Sequence, residues 1–194
     1  MAALALAPVV AAGAVTVGGY ELLPLSLWEE LRSTSAAPLT VSSSATLPDL
    51  LDGTVAALFM PRYLNAAELR QAKARGVTLH PFTFAYDALA VTVSDRDPRR
   101  QITRAEARRL AADGAVEFTR LSLFRADPRG RKIIPVDGLL PTLPAIEGRS
   151  YPFIQGLYLY TNGLPTGETL AVIHYLTGAG ARKSILRHGL IPGH

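Results

Sequence analysis

Hydroxyl side chains gather in one short loop of this chain, residues 42–46, with the sequence Ser-Ser-Ser-Ala-Thr. The loop separates a predicted strand, residues 38–41, from a predicted helix, residues 47–51. Hydroxyl and backbone N–H groups at such a point can cap the helix, here through Thr46, or they can hold an oxyanion. Taken alone, the loop is more typical of helix capping, and an anion site is the alternative.

Residues that could carry catalysis are scarce. The chain has no cysteine, so a disulfide framework and a thiolate metal site are both excluded. It contains no G-x-S-x-G, P-loop or H-E-x-x-H motif. No metal-ligand spacing relates the four histidines, which are His80, His174, His188 and His194. The sequence therefore predicts no enzyme mechanism, no metal site and no cofactor.

The composition is that of a folded protein with a mild basic excess. At 194 residues and 48% hydrophobic content the chain is long enough for one good core or two small lobes. The formal net charge is +4, and the excess lies between Ala88 and Arg149. A solvated basic surface is the ordinary interpretation of so small an excess. Anionic partners, from small oxyanions to nucleic acid, are the alternative.

Hydrophobic patterns, caps and turn residues predict alternating strands and helices. The predicted strands are 14–18, 38–41, 55–59, 116–124, 133–136 and 157–160. Residues 77–93 are expected to form a strand that Pro81 interrupts, then a bend, and then a strand over 88–93. The predicted helices are 23–32, 47–51, 66–74 with Leu69 and Ala72 facing inward, 103–112, 167–176 and 179–188. Residues 141–148 are expected to form a proline-rich loop, and residues 1–13 a signal remnant or an N-terminal tail.

Strands that alternate with helices over the first eighty or so residues indicate an α/β protein with an open, mainly parallel sheet. In such sheets ligands bind beyond the carboxyl ends of the strands, where loops lead into helices. The serine loop at 42–46 and Arg62 both follow predicted strands in this way. Arg62, taken alone, is more typical of a surface charge.

The last quarter of the chain contains a long motif, since residues 151–160 read Y-P-F-I-Q-G-L-Y-L-Y. This motif resembles the Y-P…R-P-L-Y-L-Y pattern near the end of the phosphate-binding proteins of ABC importers, a family of periplasmic substrate-binding proteins. Two predicted helices and a closing G-L-I-P, residues 189–192, follow in the order that the family shows. This stretch is the longest of the matching motifs.

The first half resembles the same family in outline. V-T-V-G-G at 15–19 is similar to the opening strand and glycine turn, and the loop at 42–46 to a G-S-G-x-G loop. Residues 55–69 are similar to A-D-I-A-x-S-R-P-L-S-x-x-E-L, and D-A-L-A-V-T-V at 87–93 to D-G-I-A-V-V-V-N. The resemblance implies a periplasmic-binding-protein-like α/β fold that closes on an oxyanion. It also implies this ligand-binding set: Gly19, Tyr20, Ser43, Ser44, Thr46 and Arg62.

The chain also departs from the family pattern. No S-G-T-R segment is present, so a loop that supplies an arginine and several donors is missing, together with part of the second lobe. Pro61 stands where the family has a serine or aspartate, and proline offers neither an N–H nor a polar side chain. Glu21 follows Gly19-Tyr20 in a turn that carries hydroxyl residues in the family, and its charge repels an anion. Weak binding, or none, is the expected consequence.

The resemblance implies two lobes, with residues 14–86 plus 150–194 in lobe I and residues 87–149 in a reduced lobe II. It further implies a location outside the cytoplasm, a membrane component of an ABC importer as partner, and no nucleic-acid partner. Uptake or sensing of an anionic solute is the first hypothesis. The alternative is a binding fold that has lost its ligand and serves as a protein-interaction or scaffold module.

Overall fold

The computed structural model describes residues 13–193, apart from the side chain of Tyr20. Most of the segment 1–13, expected to be a signal remnant or tail, lies outside the described residues. Across the described range, no helix has both the length and the apolar character needed to cross a bilayer.

Strands and helices alternate along the described chain. Its strands are β1 (Val15–Gly18), β2 (Leu39–Ser42), β3 (Ala57–Met60), β4 (Leu79–Ser94), β5 (Glu117–Arg120), β6 (Arg131–Ile133), β7 (Ile154–Asn162) and β8 (Ile191–Pro192). Its α-helices are α1 (Leu25–Thr34), α2 (Leu47–Leu51), α3 (Ala66–Ala74), α4 (Arg104–Ala112), α5 (Leu121–Ala126), α6 (Leu143–Glu147), α7 (Gly167–Thr177) and α8 (Ala179–Arg187).

The strands form one mixed sheet in the order β2-β1-β3-β7-β4-β5, with β6 and β8 also paired to β4. β1 runs parallel to β2 and β3, as the sequence predicts for the first part of the chain. β7 is antiparallel to both β3 and β4. β4 and β7 are the long strands, and they connect the parallel part of the sheet to the part that contains β5 and β6.

The expected bend at Pro81 is wrong, because β4 continues through it from Leu79 to Ser94. Pro81 is paired with Tyr160 in the β7 ladder, and the irregularity in the pairing comes later, between Thr83 and Ala85. Proline fits a strand where the ladder requires no hydrogen bond from its nitrogen.

The strand expected over 116–124 ends at Arg120, and α5 begins at Leu121. Leu121 and Ser122, in the first turn of α5, are both buried. Two further expectations are wrong. Leu69 is 49% exposed, since α3 buries Ala72 instead, and the proline-rich loop contains α6, capped by the Thr142 hydroxyl.

Three clusters of buried apolar residues make up the core. The first packs α1, α7 and α8 on one face of the sheet, around Trp28, Phe59 and Phe84. The second packs α2 and α3 around Leu58 and Tyr160. The third surrounds the last part of β4 and takes its buried members from residues 88–151. The exact lobe boundaries at 86/87 and 149/150 remain predictions.

Phe59 is the central ring of the first cluster. Its ring meets Trp28 edge to face at 5.3 Å between centroids, and Phe84 at 4.9 Å. We expect Phe59→Ala to lower the free energy of unfolding by about 3–5 kcal/mol, because it removes a buried ring from a close-packed site. Leu164→Ala is the control, since Leu164 is 73% exposed. Urea unfolding measures both, and an equal loss in the two variants would contradict this description of the core.

Candidate functional site

The carboxyl ends of β1, β2 and β3 meet at one edge of the sheet. Gly18, at the end of β1, is in register with Ser42 of β2 and with Leu58 of β3. The segments that hold the predicted ligand-binding residues all begin at this edge. It is the place where ligands bind in parallel α/β sheets.

Two glycines allow the loops at this edge to pack closely. A Cβ at Gly18 would lie 2.5 Å from the Ala45 Cβ and 2.8 Å from the Leu58 Cδ1. Gly19 has a φ of +92°, and a Cβ there would lie 2.7 Å from the Cβ of Phe59. The serine loop therefore packs against the end of β1. The backbone of Tyr20 begins a 3-10 turn that leads into α1.

The hydroxyl groups of the serine loop differ in what they contact. Ser43 and Ser44 are exposed, and neither hydroxyl forms a hydrogen bond with another described residue. Thr46 donates to Asp49 Oδ2 from its backbone nitrogen at 2.6 Å and from its hydroxyl at 2.7 Å. These bonds lower the pKa of Asp49. The Thr46 donors are thus occupied by the chain's own carboxylate, whereas the two serine hydroxyls remain available.

Arg62 forms a two-bond contact with Glu68 of α3. Its Nη1 donates to Glu68 Oε2 at 2.7 Å and its Nη2 to Oε1 at 2.8 Å. Nη1 also donates to the carbonyl oxygen of Tyr63 at 3.0 Å. The contact with Arg62 lowers the pKa of Glu68. A ligand that used this guanidinium would have to compete with Glu68, so the ligand role of Arg62 remains a prediction.

Asp87 is a buried carboxylate on β4, inside the ladder with β7. Its Oδ2 accepts a hydrogen bond from Ser122 Oγ at 2.6 Å, and its Oδ1 accepts one from the backbone nitrogen of Ala88 at 2.8 Å. Burial raises the pKa of Asp87 to about 6, although these bonds and the charge of Arg120 oppose the rise. In the sequence, the indication of this buried carboxylate was a single acidic residue within an apolar run.

Arg120 lies beside Asp87, at the end of β5. The side chain is half-buried. Its Nε donates to Gln155 Oε1 at 3.4 Å, and its Nη1 to the carbonyl oxygen of Leu22 at 3.5 Å. Burial lowers the pKa of Arg120, while the charges of Asp87 and Glu21 oppose that shift. The side chain therefore joins β5 to the turn after β1, a contact across nearly 100 positions of sequence.

Of two cavities, one lies beside β5 and the other beside the β4–β7 ladder. One, of about 530 Å³, separates the start of α1, at Leu23 and Leu25, from Thr119 and Phe124 near the β5–α5 junction. The other, of about 400 Å³, is lined by residues that include Tyr86 of β4 and Gly156 and Tyr158 of β7. Neither is lined by the serine loop.

Within the described residues, no cluster of three or more histidine, aspartate or glutamate side chains is placed to hold a metal ion.

No protein-family model matches the sequence, and no curated protein sequence matches it at a significant level. Solved structures do match the fold. A phosphate ABC transporter substrate-binding protein with bound phosphate, from Clostridium perfringens, superposes with a TM-score of 0.70 at 12% identity, over 94% of this chain and 100% of that chain. An ABC-type phosphate transport receptor from Vibrio cholerae gives 0.64 at 16% identity, over 91% and 99%.

A possible phosphate binding protein from Planctomyces limnophilus gives a TM-score of 0.62 at 15% identity, over 93% of both chains. At such identities the likeness establishes the fold alone. This chain has the α/β fold of periplasmic binding proteins, and the predicted fold class and family resemblance are confirmed at that level.

Asp87 should make stability depend on pH. Its folded pKa of about 6 lies above the value of about 4 in an unfolded chain. The stability that this group contributes is therefore fully present below about pH 4 and is lost as the pH rises through 6. The full difference corresponds to about 3 kcal/mol.

We expect Asp87→Asn to remove this pH-dependent loss, which urea unfolding of wild type and variant at about pH 5 and 7.5 will show. Asp113→Asn, at a side chain 63% exposed, is the matched control. A wild type and an Asp87→Asn variant with the same pH dependence would show that Asp87 does not carry the effect.

Proposed function

We propose that this chain binds a small anionic solute with phosphate-like oxyanion chemistry, in the crevice that begins at the carboxyl ends of β1, β2 and β3. The observation that carries the proposal is the position of Ser43 and Ser44. Their exposed hydroxyls lie at the ligand-binding edge of a fold whose compared structures include a phosphate-bound protein. Gly19, Tyr20, Thr46 and Arg62 complete the proposed set.

Hydrogen-bond counting predicts modest affinity. An oxyanion that leaves water needs donors to replace its hydration, and each charge-assisted bond contributes about 1.5–3 kcal/mol. Asp49 already occupies the Thr46 donors, and Glu68 occupies Arg62. Because each missing donor can lower affinity about tenfold or more, we expect weaker binding than a complete phosphate site would give.

Opening and closing of the crevice would occur at two crossover segments, near residues 84–88 in β4 and near residues 149–153 just before β7. In this proposal 14–86 plus 150–194 form one lobe and 87–149 the other. The cavity lined by Tyr86 and Gly156 lies beside these crossover segments and supports such a hinge motion. A role in ABC-type uptake or sensing, outside the cytoplasm and with a membrane component as partner, follows from the same proposal.

A second function is favoured by a separate observation. Asp49 and Glu68 satisfy donors that a ligand would need, and Glu21 adds negative charge to the turn after β1. A chain that had lost its ligand would tolerate such internal pairing. The second candidate is therefore a protein-interaction or scaffold module that keeps the fold without binding an anion.

Titration calorimetry with phosphate, sulfate, molybdate and tungstate separates the two candidates. We expect heat and a thermal shift with at least one of these anions. The double variant Ser43→Ala/Ser44→Ala should lose about a hundredfold or more in affinity, because each hydroxyl that donates to an oxyanion forms a charge-assisted bond of about 1.5–3 kcal/mol.

Ser33→Ala is the matched control, since the exposed Ser33 hydroxyl donates only to the Glu30 carbonyl oxygen within α1. Its affinity should equal that of the wild type. Neither heat nor thermal shift with any of the four anions, from a folded protein, would reject the binding role and leave the interaction module.

A further inference from the structure

Arg120 is a half-buried cation with no carboxylate partner. No ion pair joins it to an acidic side chain anywhere in residues 13–193. Arg62 and Arg131, by comparison, are paired with glutamates at 2.7 and 2.9 Å. A cation that has lost part of its hydration without gaining an anion is incompletely compensated, so an incoming anion would be attracted to it.

The hydrogen bonds of Arg120 leave most of its capacity unused. A guanidinium carries five N–H groups in a planar fork. Two of them point to neutral oxygens, on Gln155 and Leu22, at distances of 3.4 and 3.5 Å that lie beyond the usual range. The remaining N–H groups have no described partner. Such a fork matches two oxygens of one phosphate or carboxylate group.

The charges of Asp87 and Glu21 favour the charged form of Arg120, but neither acid forms an ion-pair contact with it. Asp87 is buried, and its oxygens accept bonds from Ser122 and Ala88. Glu21 is exposed on the turn after β1 and influences Arg120 through its charge, without an ion-pair contact. An anion arriving at Arg120 would therefore compete with Glu21 and would not have to displace a formed ion pair.

Arg120 contacts the turn that follows β1, beside part of the proposed ligand set. Its contact with the Leu22 carbonyl joins the second part of the chain to the turn that begins with Gly19 and Tyr20, two members of the proposed ligand set. We propose that Arg120 supplies the positive charge that the bound oxyanion contacts, and that Glu21 restrains its affinity. This inference rests on the proposed function and names the residue on the β5 side that recognises the anion.

Charge variants of the full chain test the proposal, with inorganic phosphate and acetate as the titrated probes. We expect Arg120→Gln to weaken binding about tenfold or more, since it removes a charge-assisted contact. Arg120→Lys, which keeps the charge without the fork, should lose about threefold or more. Glu21→Gln should strengthen binding about two- to fivefold, because it removes a competing charge.

Arg100→Gln is the matched control, because it makes the same change of charge at an exposed position in the basic part of the chain. Its affinity should stay within about twofold of the wild type. Circular dichroism and thermal unfolding verify that each variant is folded. If Arg120→Gln does not fold, Arg120→Lys and Glu21→Gln provide the test, and a purely structural role of Arg120 would not produce the gain in Glu21→Gln.

Equal affinities of wild type, both Arg120 variants and Glu21→Gln would overturn the inference. If the Ser43→Ala/Ser44→Ala variant then still binds more weakly, the proposed anion site stands without Arg120. A folded wild type that binds neither these probes nor the other oxyanions overturns the inference and the proposed function together.

Discussion

The antiparallel pairing of β4 with β7 is the interaction on which the rest of the structure depends. β3 joins the ladder through β7, and β5, β6 and β8 join it through β4. The serine loop is therefore positioned through the parallel strands, and Arg120 through β5. The geometry between the two depends on the pairing of these long strands, which is irregular between Thr83 and Ala85.

Asp87 lies at this crossing and explains the local structure around it. A carboxyl group buried in a strand needs hydrogen-bond donors, and Ser122 supplies one from outside the strand. Ser122 makes that contact from the first turn of α5, where it is buried next to Leu121. The same acid lies near the Arg120 guanidinium and favours its charged form without forming an ion pair with it.

The sequence predicted elements well where the signal is local. Asn65 and Thr103 each accept hydrogen bonds from the first turn of a predicted helix, because a cap is determined by residues three positions apart. Prediction failed where contacts between residues far apart in the sequence determine secondary structure or burial. The alternation around Leu121 is typical of a strand, but the tertiary contact of Ser122 favours a helix. Leu69 occupies a position that the helical period predicts to be buried, but α3 buries Ala72 and leaves Leu69 exposed.

The residues of the candidate site also differ in whether a local sequence pattern could predict their role. Ser43 and Ser44 follow a predicted strand, and a parallel sheet places such loops at its ligand-binding edge, so a local pattern with one topological rule was sufficient. Arg62 was equally easy to predict as a ligand residue. The sequence could not show that its guanidinium is paired with Glu68, because that pair forms only when α3 folds back. Arg120 gave no signal, since its neighbours come from three separated segments. A half-buried charge without an ion-pair partner can be recognised only when all its neighbours in the folded chain are known. Such a charge is also the one most able to attract an anion.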